Sequence, residues 1–195
     1  MRPSRFASLS LATLLLLLAG CTRSFEAEVT RFHQITRVGG QSATVVAADP
    51  RLEGLEFASF ADIVGRHLER YGYSAAGQAT PDLRVVMGYG LAEIGSERSG
   101  PIVGIGVGHY GRRVGVSYSG LFNVGGGRRT YYSYRLDLVI EDAATGQRIF
   151  EGHSVTSGQG GDMGAVMPYL VAALFENFPG NSGETIRVEL PVDRL

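Results

Sequence analysis

This sequence of 195 residues lacks two residue types and has very little of a third. It has no tryptophan, no lysine and a single cysteine, Cys21. One cysteine excludes an intrachain disulfide and a metal site built from several thiolates. The eighteen basic residues are all arginines, and nineteen acidic residues oppose them. With a formal net charge of −1, the composition gives no support to a nucleic-acid partner.

Long apolar runs are missing as well. The stretch from Leu9 to Ala19 is eleven residues long, whereas a transmembrane helix needs roughly 20 apolar residues. Arg2 and Arg5 precede this stretch. A charged start followed by a short apolar region is typical of a secretory signal peptide. We therefore expect residues 1–20 to be removed, leaving 175 residues.

The end of this stretch, Leu18-Ala19-Gly20-Cys21, resembles the lipobox of bacterial lipoproteins. The resemblance implies cleavage after Gly20, diacylglycerol on the Cys21 sulfur and usually a third acyl chain on the new amino group. Two or three chains hold a protein on a membrane, whereas one chain binds only marginally. The alternative is an ordinary secretory signal with a leftover cysteine, but an unpaired thiol is a liability in an oxidising compartment.

Thr22 follows the cysteine, at the position where aspartate is the familiar inner-membrane retention signal of enteric bacteria. Its absence favours the outer membrane. The sequence therefore predicts a protein that is lipid-anchored to the cell outer membrane through Cys21 and faces the periplasm.

The remaining chain has the length of one domain. We expect residues 21–30 to form a lipidated tether and residues 31–195 a single domain. Apolar residues at three- and four-residue steps predict helices over 56–71 and after Asp162. Ser59 with Asp62 resembles a capping box for the first helix, and a helix that begins one turn earlier is the alternative. Alternating segments predict strands at 25–35, 43–47, 81–89, 128–142, 147–155 and 184–190. The expected fold is α+β, with a mainly antiparallel sheet and both helices packed on one face.

A glycine- and tyrosine-rich insertion is expected at about residues 95–130. Eleven glycines lie between Gly95 and Gly127, and their period of two indicates strands and loose hairpins. Residues 106–111 match the dinucleotide-binding fingerprint only formally, because strand-like alternation follows where that motif needs a helix. No cofactor is expected.

Arginines and tyrosines in and beside this insertion form a candidate interaction surface, since they favour cation–π contacts and paired arginines bind anionic groups. Its residues are Arg112, Arg113, Tyr118, Arg128, Arg129, Tyr131 and Tyr132. The alternative is a hairpin whose arginines merely keep it soluble, which is favoured because glycine weakens strands without specifying a site.

Residues 134–142, the turn Thr145-Gly146, residues 149–152 and the later Phe178-Pro179 together resemble the uncharacterised envelope lipoproteins of domain-of-unknown-function family 4136. The resemblance covers most of the mature chain. It implies an α+β sandwich of sheet and helices, with no established activity and no catalytic residues. Family members often carry tryptophan where this chain has Phe150.

The sequence shows no motif of a known type of active site. The four histidines form no metal-binding pair, and the serines near His153 lack the G-x-S-x-G form of a nucleophile elbow. We therefore expect a non-enzymatic envelope protein that binds or scaffolds an envelope component, with an envelope protein or a second copy of itself as partner. An auxiliary subunit of a transport or export complex is the alternative, and an envelope hydrolase is a third hypothesis.

Overall fold

The computed structural model describes residues 24–97 and 129–192. They form one seven-stranded sheet in the order β3-β2-β4-β5-β6-β1-β7, together with two helices. The elements are β1 (Ser24–His33), β2 (Ser42–Ala47), α1 (Leu55–Arg70), β3 (Ser74–Ala75), β4 (Leu83–Glu97), β5 (Arg129–Asp142), β6 (Arg148–Gln159), α2 (Met163–Phe175) and β7 (Glu184–Pro191). β2 runs parallel to β3 and β4, and the other pairs are antiparallel. The expected α+β class is confirmed, with a mixed and mostly antiparallel sheet.

Alternation along β5 shows why this sheet has one buried face. Leu136, Leu138 and Ile140 are at most 1% exposed, whereas Arg135 and Asp137 point to the other face and pair with each other. Because side chains alternate along a strand, the buried set defines the inner face and the charged set the outer face.

Both helices cover the inner face. The α1 residue Phe60 packs edge-on against Tyr89 of β4, with ring centroids 5.0 Å apart. Leu174 of α2 lies over Gly152 of β6, the register partner of Leu138. Cross-strand partners share a face, so the two helices lie on the same side, as the sequence predicted.

The N-terminal end of α1 lacks the predicted capping box, and its C-terminal end is stopped by a glycine. The helix begins after Gly54, which makes no side-chain cap, and Asp62 instead pairs with Arg66 one turn later. Ser59 lies inside the helix, so the capping box does not form and the alternative, a helix that begins a turn earlier, is confirmed. At the other end Gly72 takes a φ of +84°, and the Tyr73 amide donates to the Leu68 carbonyl at 3.1 Å. This backbone arrangement is the usual glycine-dependent helix stop.

The start of β1 overlaps the segment expected as a tether. Residues 24–30 belong to β1, which lies between β6 and β7, so the strand predicted over 25–35 forms and only residues 21–23 of the expected tether precede it. Strand pairing on both sides of β1 satisfies its backbone groups, which a free tether would leave to water. β1 and β2 are strands of one sheet but not a hairpin, because β4, β5 and β6 separate them.

Candidate functional site

Five strand ends lie at one end of the sheet, which we call the Ser24 end. Ser24 of β1 is opposite Pro191 of β7, and Glu97 of β4 is opposite Arg129 of β5. β6 joins these pairs, because its last residues lie beside the starts of β1 and β5. The end of β4 at Glu97 and the start of β5 at Arg129 therefore lie at the end of the sheet where β1 starts. The opposite end, where β7 starts, is the Glu184 end.

Two of the predicted interaction residues lie at the Ser24 end, on opposite faces. The Tyr131 hydroxyl accepts a hydrogen bond from Gln159 Nε2 at 3.1 Å on the outer face. Tyr132 is partly buried against the core and packs on Gly161, so the two tyrosines do not form one surface. Arg129 is opposite Glu97 in the register. The remaining members, Arg112, Arg113, Tyr118 and Arg128, lie outside the described residues, as do Gly20 and Cys21.

The outer face is polar and its charges are largely paired. Arg135 binds Asp137 through two nitrogens at 2.6–3.0 Å, and Arg187 lies 3.9 Å from Glu26. A shallow groove of about 370 Å³ crosses this face near the Ser24 end. Its lining includes Ile94, Ser133, Val155 and Ser157 as well as Glu26, Glu28 and Arg187.

His153 does not join a serine in a catalytic pair. It lies on the outer face opposite Asp137, whereas its neighbour Ser154 is fully buried on the inner face. Partial burial lowers the pKa of His153; Arg135 lowers it further, and Asp137 opposes the shift. His153 also does not line the outer-face groove.

The least expected polar residue is Arg31, which is 3% exposed on the inner face of β1. Its Nη2 donates to the Ala173 carbonyl at 3.0 Å, near the end of α2. Its Nε is buried without a hydrogen-bond partner. In the part of the chain that the structure describes, no carboxylate lies within 4 Å of the guanidinium to form an ion pair. A buried donor left unpaired costs about 1–3 kcal/mol, so this arrangement needs a reason.

The loop between α2 and β7 is built around Arg31. The Arg31 carbonyl accepts from the Gly183 amide at 2.8 Å, and His33 Nε2 is 3.1 Å from the Gly180 carbonyl. Gly180 has a φ of +77°, and a Cβ there would come within 2.5 Å of Arg31 Nη1. Glycine is therefore required for the loop to approach the guanidinium so closely.

Tyr71 holds the other side of this loop. Its hydroxyl donates to the Phe175 carbonyl at 2.6 Å and accepts from the Phe178 amide at 3.1 Å. The last carbonyls of α2 thus receive donors from Tyr71 and Arg31, which satisfies groups that a helix end leaves unpaired.

A pocket of about 440 Å³ opens beside Arg31 at the Glu184 end. Val29, Pro179, Gly180 and Ile186 supply its apolar lining, and Arg31, Asn177, Asn181 and Glu184 supply its polar lining. Asn181 Nδ2 donates to Glu184 Oε2 at 2.9 Å. Burial lowers the pKa of Arg31, while Tyr71, Glu176 and Glu184 oppose that shift.

Comparison with known proteins now gives the family. A family described as "Domain of unknown function (DUF4136)" matches residues 29–180, which span β1 through the loop after α2. The chain belongs to this family. A comparison with curated proteins gives no match.

Solved structures show distant similarity to this DUF4136 chain. A PDZ domain protein from Parabacteroides distasonis aligns with a TM-score of 0.49 and 11% identity, over 94% of this chain and 42% of the other. The chain thus spans less than half the length of that protein. Two crystal forms of a PelC dodecamer from Paraburkholderia phytofirmans align with TM-scores of 0.39 and 0.37, at 13% and 12% identity. They cover 75% of this chain and 92% and 93% of the PelC chains. With TM-scores below 0.5, these similarities support no statement about function.

Sequence reasoning overlooked Arg31 although a signal for it was present. Arg31 is in phase with Ala27 and Val29, both buried, so the period of two already placed it on the inner face. Other features remain absent within residues 24–97 and 129–192. No helix there is long and apolar enough to cross a membrane, and no group of three or more His, Cys, Asp or Glu side chains there is placed to hold a metal ion.

Proposed function

We propose that this DUF4136 chain is a lipid-anchored envelope protein without enzymatic activity, moored to the outer membrane by acyl chains on Cys21 and exposed to the periplasm. The observation that carries the proposal is the signal-like segment ending in Leu18-Ala19-Gly20-Cys21, placed three residues before the first strand. An apolar region with a small-residue cleavage site and a cysteine at this point is the pattern that lipoprotein processing requires.

The short link between anchor and sheet gives the protein an orientation. Only Thr22 and Arg23 separate Cys21 from Ser24, and three Cα–Cα steps span at most about 11 Å. Lipid on Cys21 would therefore hold the Ser24 end beside the headgroups. Strand β5 rises roughly 3.3 Å per residue, so its turn with β6 at the Glu184 end would stand about 35–40 Å farther out.

The same orientation locates the proposed contact with an envelope component. Tyr131 and the strand ends at Glu97 and Arg129 would lie near the membrane. Arginines beside an anionic lipid surface gain about 1 kcal/mol each. An envelope-facing role at the Ser24 end is therefore the form of binding or scaffolding that the topology supports best.

A Cys21→Ala variant tests the anchor. In cells fed a palmitate analogue we expect the wild type to carry the label and to fractionate with the outer membrane, and the variant to lose both properties. Thr22→Ala is the matched control, since it leaves the cysteine in place. An unlabelled wild type, or a Cys21→Ala protein that fractionates unchanged, would refute lipid anchoring.

Photo-crosslinking tests the orientation separately. A photoreactive residue at position 131 should form lipid or envelope-protein adducts in intact cells. The same residue at Ala144, in the exposed turn between β5 and β6 at the far end of the sheet, should form few of them. Equal adduct yields at both positions would contradict the proposed contact even if Cys21 is lipidated.

An auxiliary subunit of a transport or export complex is the second candidate, and the sheet edges favour it. Among the described strands, β7 pairs only with β1, and β3 covers only Ser42 and Ala43 of β2. Unpaired strand edges are a common means of assembly. Oligomers of the full chain in mild detergent that disappear when Ile186, in the β7 edge, is replaced by proline would support this candidate; a monomer at all concentrations would exclude assembly through β7.

A further inference from the structure

Arg31 has more hydrogen-bonding capacity than its surroundings use. A guanidinium has five N–H donors in a rigid fork, yet within residues 24–97 and 129–192 this one makes a single hydrogen bond, to the Ala173 carbonyl at 3.0 Å. Buried charges in folded proteins are ordinarily paired with an opposite charge. Two acidic side chains, Glu176 and Glu184, act on Arg31 through space but form no ion pair with it.

Capping of α2 explains part of this arrangement but not all of it. A cation near the last turn of a helix is favourable because the C-terminal end carries partial negative charge, and Nη2 fulfils that role. A cap needs neither an unpartnered buried Nε nor an open pocket beside the guanidinium. Both features are present here.

We propose that the pocket lined by Arg31, Asn177, Asn181 and Glu184 binds a small monocarboxylate that carries a neighbouring ammonium or hydroxyl group. The carboxylate would accept hydrogen bonds from the Nη groups of Arg31 that the Ala173 carbonyl does not occupy, since arginine pairs readily with carboxylates. The neighbouring donor group would face Glu184, and the two asparagines supply further polar contacts. The pocket volume of about 440 Å³ falls within the usual range for small-molecule sites.

The charge balance distinguishes this ligand class from a phosphate. The polar lining contains one cation, Arg31, and one anion, Glu184. A dianion would bring two charges close to Glu184 with only one arginine to compensate them, and like charges at short range repel. A carboxylate joined to an ammonium or hydroxyl group matches both side chains.

The pocket lies at the Glu184 end of the sheet, seven residues along β1 from Ser24, which corresponds to roughly 23 Å. This site does not depend on the proposed anchor. If the chain is moored through Cys21, the pocket opens away from the membrane; if it is not, the pocket chemistry is unchanged.

The test is an NMR titration of the full ¹⁵N-labelled chain in mild detergent, following the Nε–Hε signal of Arg31 assigned through bonds from its own backbone. Glycine and sodium acetate are the probes, and sodium chloride controls for ionic strength. We expect a saturable shift with both probes and half-saturation by glycine on the order of 1 mM, the affinity that two charge-assisted hydrogen bonds provide. Arg187, on the outer face with 65% of its side chain exposed, should show no saturable shift.

Two matched variants on β7 test the role of Glu184. Glu184→Gln should reduce the preference for glycine over acetate by about threefold, the contribution of one exposed ion pair, whereas Glu189→Gln should leave it unchanged. The proposal is overturned if Arg31 shifts only linearly or as much with chloride, or if both variants retain the wild-type preference. It is also overturned if inorganic phosphate saturates the site and acetate does not.

Discussion

His67 should make the stability of this protein depend on pH in a predictable direction. Its ring lies on α1 against Phe175 of α2, with centroids 5.4 Å apart. Burial, followed by the charges of Arg70 and Arg66, lowers the pKa of His67 from 6.5 to about 4. The folded protein therefore keeps this imidazole neutral at pH values where the unfolded chain protonates it.

The size of the effect follows from proton linkage. Between pH 6.5 and about pH 4 the unfolded state binds the extra proton, so the stability of the fold rises with pH across this window and is lost as the pH falls through it. From this one group, the free energy of unfolding should decrease by about 2 kcal/mol between pH 7 and pH 5. Above pH 7 the imidazole is neutral in both states and contributes no further change.

A His67→Gln variant isolates this contribution, because glutamine is polar and does not titrate. Urea unfolding at pH 7 and pH 5, followed by circular dichroism, should show the variant losing about 2 kcal/mol less than the wild type over this interval. Ser59→Ala, at an exposed position on the same helix, should keep the wild-type pH dependence. The reasoning fails if His67→Gln and the wild type lose equal stability, or if NMR titration gives His67 a pKa near 6.5.

Three further substitutions test packing and capping by the same unfolding measurement. Gly152→Ala should destabilise the fold by about 1–3 kcal/mol, because the added Cβ would lie 2.8 Å from the Phe150 ring and 3.1 Å from Leu174. Gly65→Ala should instead stabilise it by about 0.5–1 kcal/mol, since this helix position has open space around it; urea midpoints that move in the same direction for both would contradict this account. Asp162→Ala removes the side chain that caps α2 through the Ala165 amide at 3.3 Å and should cost about 1 kcal/mol, with Asp162→Asn retaining most of the stability.

Local patterns in the sequence were sufficient to predict most of the helices and strands. The apolar steps that predicted α1 are those of its buried residues Phe60, Val64 and Leu68. The turn at Thr145-Gly146 is also present between β5 and β6: Gly146 has a φ of +71°, and the Asp142 carboxylate accepts from the Thr145 amide at 2.8 Å. Patterns of this kind depend on neighbours within a few residues, which is why sequence reasoning recovered them.

The order of the strands and their lengths could not be predicted from the sequence pattern, because they depend on contacts between residues far apart in the chain. β1 pairs with β6 and β7, more than 100 residues later in the chain, and β4 continues to Glu97 because β5 pairs along its length. Pairing of this kind gives no periodic signal in either strand alone. The predicted strand for β4 therefore ended too early, whereas the start of β1 agrees with the strand predicted over 25–35.

The sequence by itself determined the class of the domain, its two helices and the expectation of a lipid anchor, since these depend on short-range periodicity and on a local motif. Only the tertiary structure placed the start of β1 and the flanks of residues 98–128 at one end of the sheet. The burial of Arg31 beside the loop between α2 and β7 is likewise visible only in the tertiary structure. The physical reason is that burial and charge pairing are set by groups far apart in the chain, whose approach depends on the whole sheet being assembled.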